Sequence, residues 1–237
     1  MPDNNSQTRN LSKIRIITNI LTTAIKLWLR SQVSQVSQLD VEIQASDKQL
    51  LSGSIPGVSI FANHAIYQGL HITQIKLAAE NIQVNIGQVL KGQPLQLLQV
   101  VPVSGELLIE AKDLNSSLSS ELLSTALNDV LDKLLPEYVP KSKPIFWQEI
   151  ILDNHQIKLN AILTPTTEPT PLEICLHIEL LSGHELQLSK IQVKQNAVAL
   201  LDGIDTYNLD LGSDVDIQEL TLIPGKLVCR GRVNVNP

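Results

Sequence analysis

Aromatic residues are scarce in this chain: Phe, Trp and Tyr together number 7 of 237, against 81 Leu, Ile and Val. Such an interior is aliphatic, smooth and non-directional, suited to packing or to fatty chains and poor at stacking bases or sugars. Cysteine is nearly missing as well. Cys175 and Cys229 lie far apart and in no Cys-x-x-Cys pair, which argues against zinc or a thioredoxin-like centre and makes two structural thiols the plain reading, with a disulfide between them left open. No acidic residue occurs between Asp3 and Asp40, a stretch holding Arg9, Lys13, Arg15, Lys26 and Arg30. Residues 1–39 therefore carry +5 − 1 = +4 and the remainder +13 − 23 = −10, giving the net −6. An acidic body with few rings excludes nucleic acid as a partner. The basic end points toward an anionic membrane surface or toward the body itself.

Catalytic signatures are absent too. There is no Gly-x-Ser-x-Gly elbow, Walker loop, dinucleotide fingerprint or His-Glu-x-x-His helix, so the chain reads as no enzyme, with no cofactor and no metal. His177-x-Glu179 resembles half of a deaminase zinc motif, but the Pro-Cys-x-x-Cys partner is lacking, and alternation along one strand face explains it. The acidic run from Asp202 to Glu219 lacks the ligand order of a calcium loop and reads as a solvated face. A hydrolase with a site assembled in space stays the weakest alternative.

Long apolar runs are missing: the longest apolar-leaning stretch between charges near the start, Ile16 to Ile25, contains Thr18, Asn19, Thr22 and Thr23. It is too short and too polar for a bilayer span and a poor signal peptide. The expectation is a cytoplasmic protein, peripheral at a membrane. Residues 1–10 are expected to be disordered and residues 11–237 to form one α+β domain.

What the sequence does contain is periodicity. Residues 11–39 hold no Pro or Gly, and Ile14, Ile17, Leu21, Ile25, Trp28 and Val36 recur at helical spacing, predicting a long amphipathic helix. A second apolar line through Ile16, Ile20 and Leu27 leaves two jobs open for it, packing on the body or lying in a membrane interface. Over 113–135 apolar residues step by four, with Asp113 as the cap, Pro136 as the stop and the Ser-rich "NSSLSS" as the place where this central helix can break. Residues 41–110 and 145–235 alternate with period two and read as strands, punctuated by Asp153-Asn154, Ser182-Gly183, Asp202-Gly203 and Pro224-Gly225 turns. "TPTTEPTP", Thr164 to Pro171, reads as a loop.

The stretch "GLHITQIKLAAENIQVNI" changes phase twice: Leu70 and Ile72 share one, Ile75, Leu77 and Ala79 take the other, and Ile82, Val84 and Ile86 return to the first. Breaks are predicted near Thr73-Gln74 and Glu80-Asn81, because a phase change otherwise turns the apolar set to the opposite face. A straight run from Leu70 to Ile86 would measure about 55 Å at ~3.3 Å per residue, against a radius of gyration of about 18 Å for a domain of this size, so the strand must curl or fold back. A strongly curved, mostly antiparallel sheet around a long helix satisfies the pattern, with an elongated aliphatic groove or with a filled core.

The blocks "LLSGSIPGVSI", "AIYQGLHITQIKLAAENIQVNIGQVLKGQPLQLL", "VPVSGELLIEAKDLNSSL" and "GSDVDIQELTLIPGKLVCRGRVNVNP", with "IKLWLRSQV" ahead of them, resemble the bacterial LmeA-like phospholipid-binding family. The resemblance implies a non-catalytic protein that binds phospholipid or another acyl lipid at or near a membrane, with a tubular lipid-binding type of fold. Lys13, Arg15, Lys26, Trp28 and Arg30 are the candidates for a membrane surface. Leu21, Ile25, Leu70, Ile72, Ile75, Leu77, Ile82, Val84 and Ile86 are the candidates for a lipid groove. The alternative function is a protein-binding scaffold or assembly factor with a filled core.

Overall fold

The computed structural model describes residues 20–135, 145–163, 170–202 and 206–237. Helix α1 covers 20–32. It is followed by β1 (Gln35–Gln44), α2 (Asp47–Leu51), β2 (Ser54–Tyr67), β3 (Leu70–Gln83), α3 (Ile86–Val89), β4 (Val101–Glu110), α4 (Ala111–Ser116) and α5 (Glu121–Leu134). The second half is β5 (Ile145–Asp153), β6 (Gln156–Leu163), β7 (Thr170–Ser182), β8 (Glu185–Gln195), β9 (Val198–Asp202), β10 (Tyr207–Asp210), β11 (Val215–Ile223) and β12 (Lys226–Val235). The class is α+β with antiparallel pairing. One sheet runs β1-β2-β3-β4-β12-β11; the other runs β10-β8-β7-β6-β5, with β9 also on β8.

Turn chemistry sets the long β2–β3 hairpin. Gln68 and Gly69 have φ of 48° and 81°, the paired positive values of a two-residue turn whose twist matches the strands. Glycine is required at 69 for a second reason: an added Cβ would lie 2.7 Å from Ser120 Cβ. Both predicted breaks are present, and they are kinks inside continuous strands rather than reversals. The ladders keep one register but skip Ser37, His64 and Thr73 on three adjacent strands, where His64 has φ 48°. Thr73 turns its hydroxyl to other partners, accepting the Glu110 N–H at 2.8 Å and donating to the Asp113 carboxylate. The second skip opposes Pro56, which has no N–H, to Asn81 at φ 55°. Each kink lets apolar residues three apart share a face, as with Ile72 and Ile75 or Ala79 and Ile82.

The same geometry corrects the first helix. Residues 35–39, expected as the end of a helix over 11–39, begin strand β1, and Ser34 N–H bonds Ile66 O at 2.9 Å across the sheet. Val36 and Leu39 keep a helix-like spacing of three because the Ser37 kink falls between them. Within the strand block, α2 and α3 are short helices that alternation did not foretell. The central helical segment begins at Ala111, ahead of Asp113, and breaks at the serines, where the Ser120 hydroxyl caps α5 by accepting Leu123 N–H at 3.2 Å. Thr170 and Pro171, expected in the loop, pair with Leu163 and Ile162 as the start of β7. Pro136 and the Asp202-Gly203 turn fall, in whole or part, outside the described residues.

Two aliphatic cores result. Leu21 and Ile25 of α1 pack with Leu50, Ile55, Val58, Ile82, Val84, Ile86, Val89, Leu95 and Val101. The other core joins the second sheet, α4 and α5 to one end of the first sheet, with Trp147, Ile150, Leu159, Ile174, Ile191, Val193 and Leu222 at its centre. Trp147 keeps its polar handle satisfied, its indole N–H donating to Asn128 Oδ1 at 2.9 Å.

Candidate functional site

Residues directly opposite one another in a sheet share a face, so the pairing register sorts the first sheet into cross-strand rows. One row reads Ile43, Val58, Ala79, Val103, Val233, Val215; the next reads Val41, Ile60, Leu77, Gly105, Gly231, Ile217; the third reads Leu39, Ala62, Ile75, Leu107, Cys229, Leu220. This inner face is aliphatic from edge to edge. The opposite face carries Asp40, Phe61, Lys76, Glu106, Arg230 and Glu219 in one row. There Glu106 accepts from Lys76 Nζ at 3.3 Å and Arg230 Nε at 3.0 Å, and Arg230 reaches Glu219 at 2.7 Å.

The inner face is roofed at both ends and less so between. Val41, Ile43, Ile60, Ala79 and Val103 pack against the core that α1 joins through Leu21 and Ile25. The second sheet, α4 and α5 cover Leu220, Leu222 and Leu227. Between these roofs Leu39, Ile75, Leu77, Leu107, Ile217 and Cys229 are half-buried and belong to neither core among the described residues. A shallow hollow of about 650 Å³ follows the middle row, taking in Lys26, Val41, Ile60, Leu77, Gly105 and Gly231. At Gly105 an added Cβ would meet Leu77 Cδ2 at 3.0 Å and Lys76 O at 3.7 Å, whereas at Gly231 it would strike the backbone of β11, Asp216 O at 2.5 Å and Ile217 Cα at 2.8 Å, so Gly231 serves the close approach of that strand. Asp40, Glu42, Lys76, Glu106 and Arg230 also border the hollow, but the register puts their side chains on the opposite face.

The sequence candidates divide sharply. Leu21, Ile25, Ile72, Ile82, Val84 and Ile86 are 0 to 8% exposed and are occupied with packing. Leu70 is half-buried at the hairpin end, and Ile75 and Leu77 lie on the open part of the face. Lys26 and Trp28 are half-buried, Arg30 is exposed, and Lys13 and Arg15 lie outside the described residues. Reading the sequence missed Leu39, Leu107, Ile217 and Cys229, because only the register places them beside Ile75. The local signal that could have found the hollow is the isolated glycine within "VPVSGELLIE" and again within "CRGRV", each marking space or close approach in a strand.

Reactive chemistry does not converge here. Among the described residues no group of three or more His, Cys, Asp or Glu could hold a metal, and no buried side-chain polar atom lacks a hydrogen-bond partner. Cys175 and Cys229 are free, and burial pushes both thiols above their ordinary pKa, the opposite of an activated nucleophile. No described helix is long and apolar enough to cross a membrane. A family model described as LmeA-like phospholipid-binding matches residues 13–232. No curated protein and no solved structure matches the chain.

Proposed function

The chain belongs to the LmeA-like phospholipid-binding family, and from that premise we propose that it binds phospholipid non-catalytically, with acyl chains lying along the open aliphatic rows of the first sheet. The observation that carries this reading is the strip between the two roofs, where half-buried aliphatic side chains adjoin a hollow bordered by Gly105 and Gly231. The open part of the middle row, from Leu77 on β3 to Ile217 on β11, crosses four strands, a path of roughly 14 Å at about 4.8 Å per step, enough to seat part of an acyl chain. Covering an aliphatic surface with a chain of methylenes contributes about 0.8 kcal/mol per buried CH₂.

The protein acts peripherally at a membrane surface. Helix α1 has its Leu21 and Ile25 stripe against the sheet, which supports the packing role first; its outward side still presents Leu27, 62% exposed, and Arg30. Lys26 borders the hollow and is the α1 cation nearest a lipid lying there. Arg30 supplies charge toward anionic headgroups.

The test is detergent-free purification followed by lipid extraction and mass spectrometry, on the natural chain and on Gly105→Leu. Phospholipid is expected with the natural chain, and a marked loss with the variant, whose new side chain fills the hollow. A natural chain that carries no lipid and binds none from vesicles sinks the proposal; a stoichiometric protein partner on that empty chain would favour the scaffold reading.

A further inference from the structure

Leu51, Leu90, Leu98 and Val100 are 58, 46, 61 and 48% exposed, and backbone hydrogen bonds gather their segments at one end of the first sheet. Val84 N–H bonds Gly53 O at 2.9 Å and Leu98 N–H bonds Gln83 O at 2.9 Å, while Val84 pairs with Leu97. Asn85, 9% exposed, pins the loop between them: its amide nitrogen donates to Pro94 O at 3.0 Å and its oxygen accepts Gln96 N–H at 2.8 Å. The turn after α2, the loop after α3 and the approach to β4 are thus stitched around residues 83–85. Ile20, 37% exposed, adjoins this end, since its neighbour Leu21 packs with Leu50, Val89 and Leu95.

Charge sets this end apart from the rest of the acidic body. From residue 81 to residue 105 there is no carboxylate and a single charge, Lys91. Aliphatic side chains held on the pinned 81–105 segment, without carboxylates to desolvate, suit a bilayer interface, where apolar groups enter and buried charge would be costly; the α2 segment beside it adds Asp47 and Lys48. Inward of this end Val101 is 2% exposed and Val103 packs on the core that includes Leu21 and Ile25, so the exposed apolar surface ends at Val100.

We propose that this end, built from the loops around α2 and α3, docks into the bilayer interface. The docking stands apart from the placement of lipid on the open face. Unlike attraction through α1, docking by this end does not require anionic lipid.

The experiment is co-sedimentation of the full chain with phosphatidylcholine vesicles at low and high salt, for the natural protein and for Leu90→Asp/Leu98→Asp. The natural chain is expected to bind in both salts, and the double variant to bind roughly tenfold less or weaker still, having two carboxylates where leucines inserted. Its co-purified lipid and thermal melt should be unchanged, because neither leucine is buried. If the double variant misfolds, Leu98→Trp decides, through quenching by dibrominated phosphatidylcholine beyond that of Trp28 and Trp147. Equal binding by the folded double variant, no added quenching, or binding that needs anionic lipid and fails in salt overturns the proposal. So does a natural chain that ignores vesicles but forms a dimer which the double variant abolishes. Loss of vesicle binding by the variant of a natural chain that holds no lipid would leave docking standing while refuting the groove.

Discussion

Cys229 is the residue best placed to report on the open face. It pairs with Leu107 and Leu220 in an aliphatic row, and burial holds its thiol above the ordinary range. Cys175 is likewise raised, first by burial and then by Glu173, but it pairs with Lys158 and Gln192 in the other sheet. Alkylation of Cys229 at mildly alkaline pH should therefore slow when phospholipid is added, while Cys175 reacts at an unchanged rate; mass spectrometry of the two peptides separates them. Equal protection of both thiols, or of neither, would contradict lipid lying over the third row. Glu106, on the opposite face, gives a pH prediction. Hydrogen bonds from Arg230 and then Lys76 hold its carboxyl below the usual carboxylate range. A lowered folded pKa means stability present above the unfolded value and lost as pH falls through the folded one. Glu106→Gln should accordingly flatten the acid limb of a stability profile by slightly lowering stability in the neutral region while leaving it nearly unchanged below the folded pKa, the effect being small because the pair is solvent-exposed; urea titrations from acid to neutral pH read it.

At the scale of elements, α1 divides its residues between two environments, and the buried side dominates its energetics. Leu21 is 0% exposed and Ile25 7%, and each full burial of such a side chain is worth about 1.5–3 kcal/mol. Leu21→Ala should cost about 2–5 kcal/mol of unfolding free energy, whereas Leu27→Ala, at 62% exposure, should cost within about 0.5 kcal/mol; chemical denaturation of both variants measures the difference. Equal small effects would show that the helix is not part of the folded core. The helix was legible from its spacing of threes and fours, but its end was not. The apolar spacing Val33, Val36, Leu39 is that of a helix face, and it is also that of a strand interrupted by the kink at Ser37, His64 and Thr73. Periodicity cannot separate these cases, because the kink depends on partners far away in sequence. The phase changes in β3 were legible for the converse reason: its alternation is long enough on each side for the offsets to show. The tight Tyr67–Leu70 connection needed no distant information, since Gly69 supplies it locally.

At the scale of the whole molecule, filled cores and an open strip coexist, and sequence reasoning could find the aliphatic material without assigning it to either. Ile82 and Val84 have the same chemistry as Ile75 and Leu77; α1, α2 and α3 cover the first pair, and the second lies between two roofs. With acyl chains on the strip, as proposed, stability depends on cargo. A ligand that binds only the folded chain adds RT ln(1 + [L]/Kd), about 2.7 kcal/mol at a hundredfold excess over Kd, and a chain of this size shifts its Tm by about 2–4 °C per kcal/mol. Stripping lipid from the natural protein should therefore lower its Tm by roughly 5–10 °C if it is purified near saturation, and adding phospholipid back should restore it. Gly105→Leu should melt at one temperature with or without lipid, its hollow being filled by its own side chain. Scanning calorimetry on the two proteins, each before and after stripping, makes the comparison; a natural chain whose Tm ignores lipid while the variant's responds would place the cargo elsewhere than on the open rows.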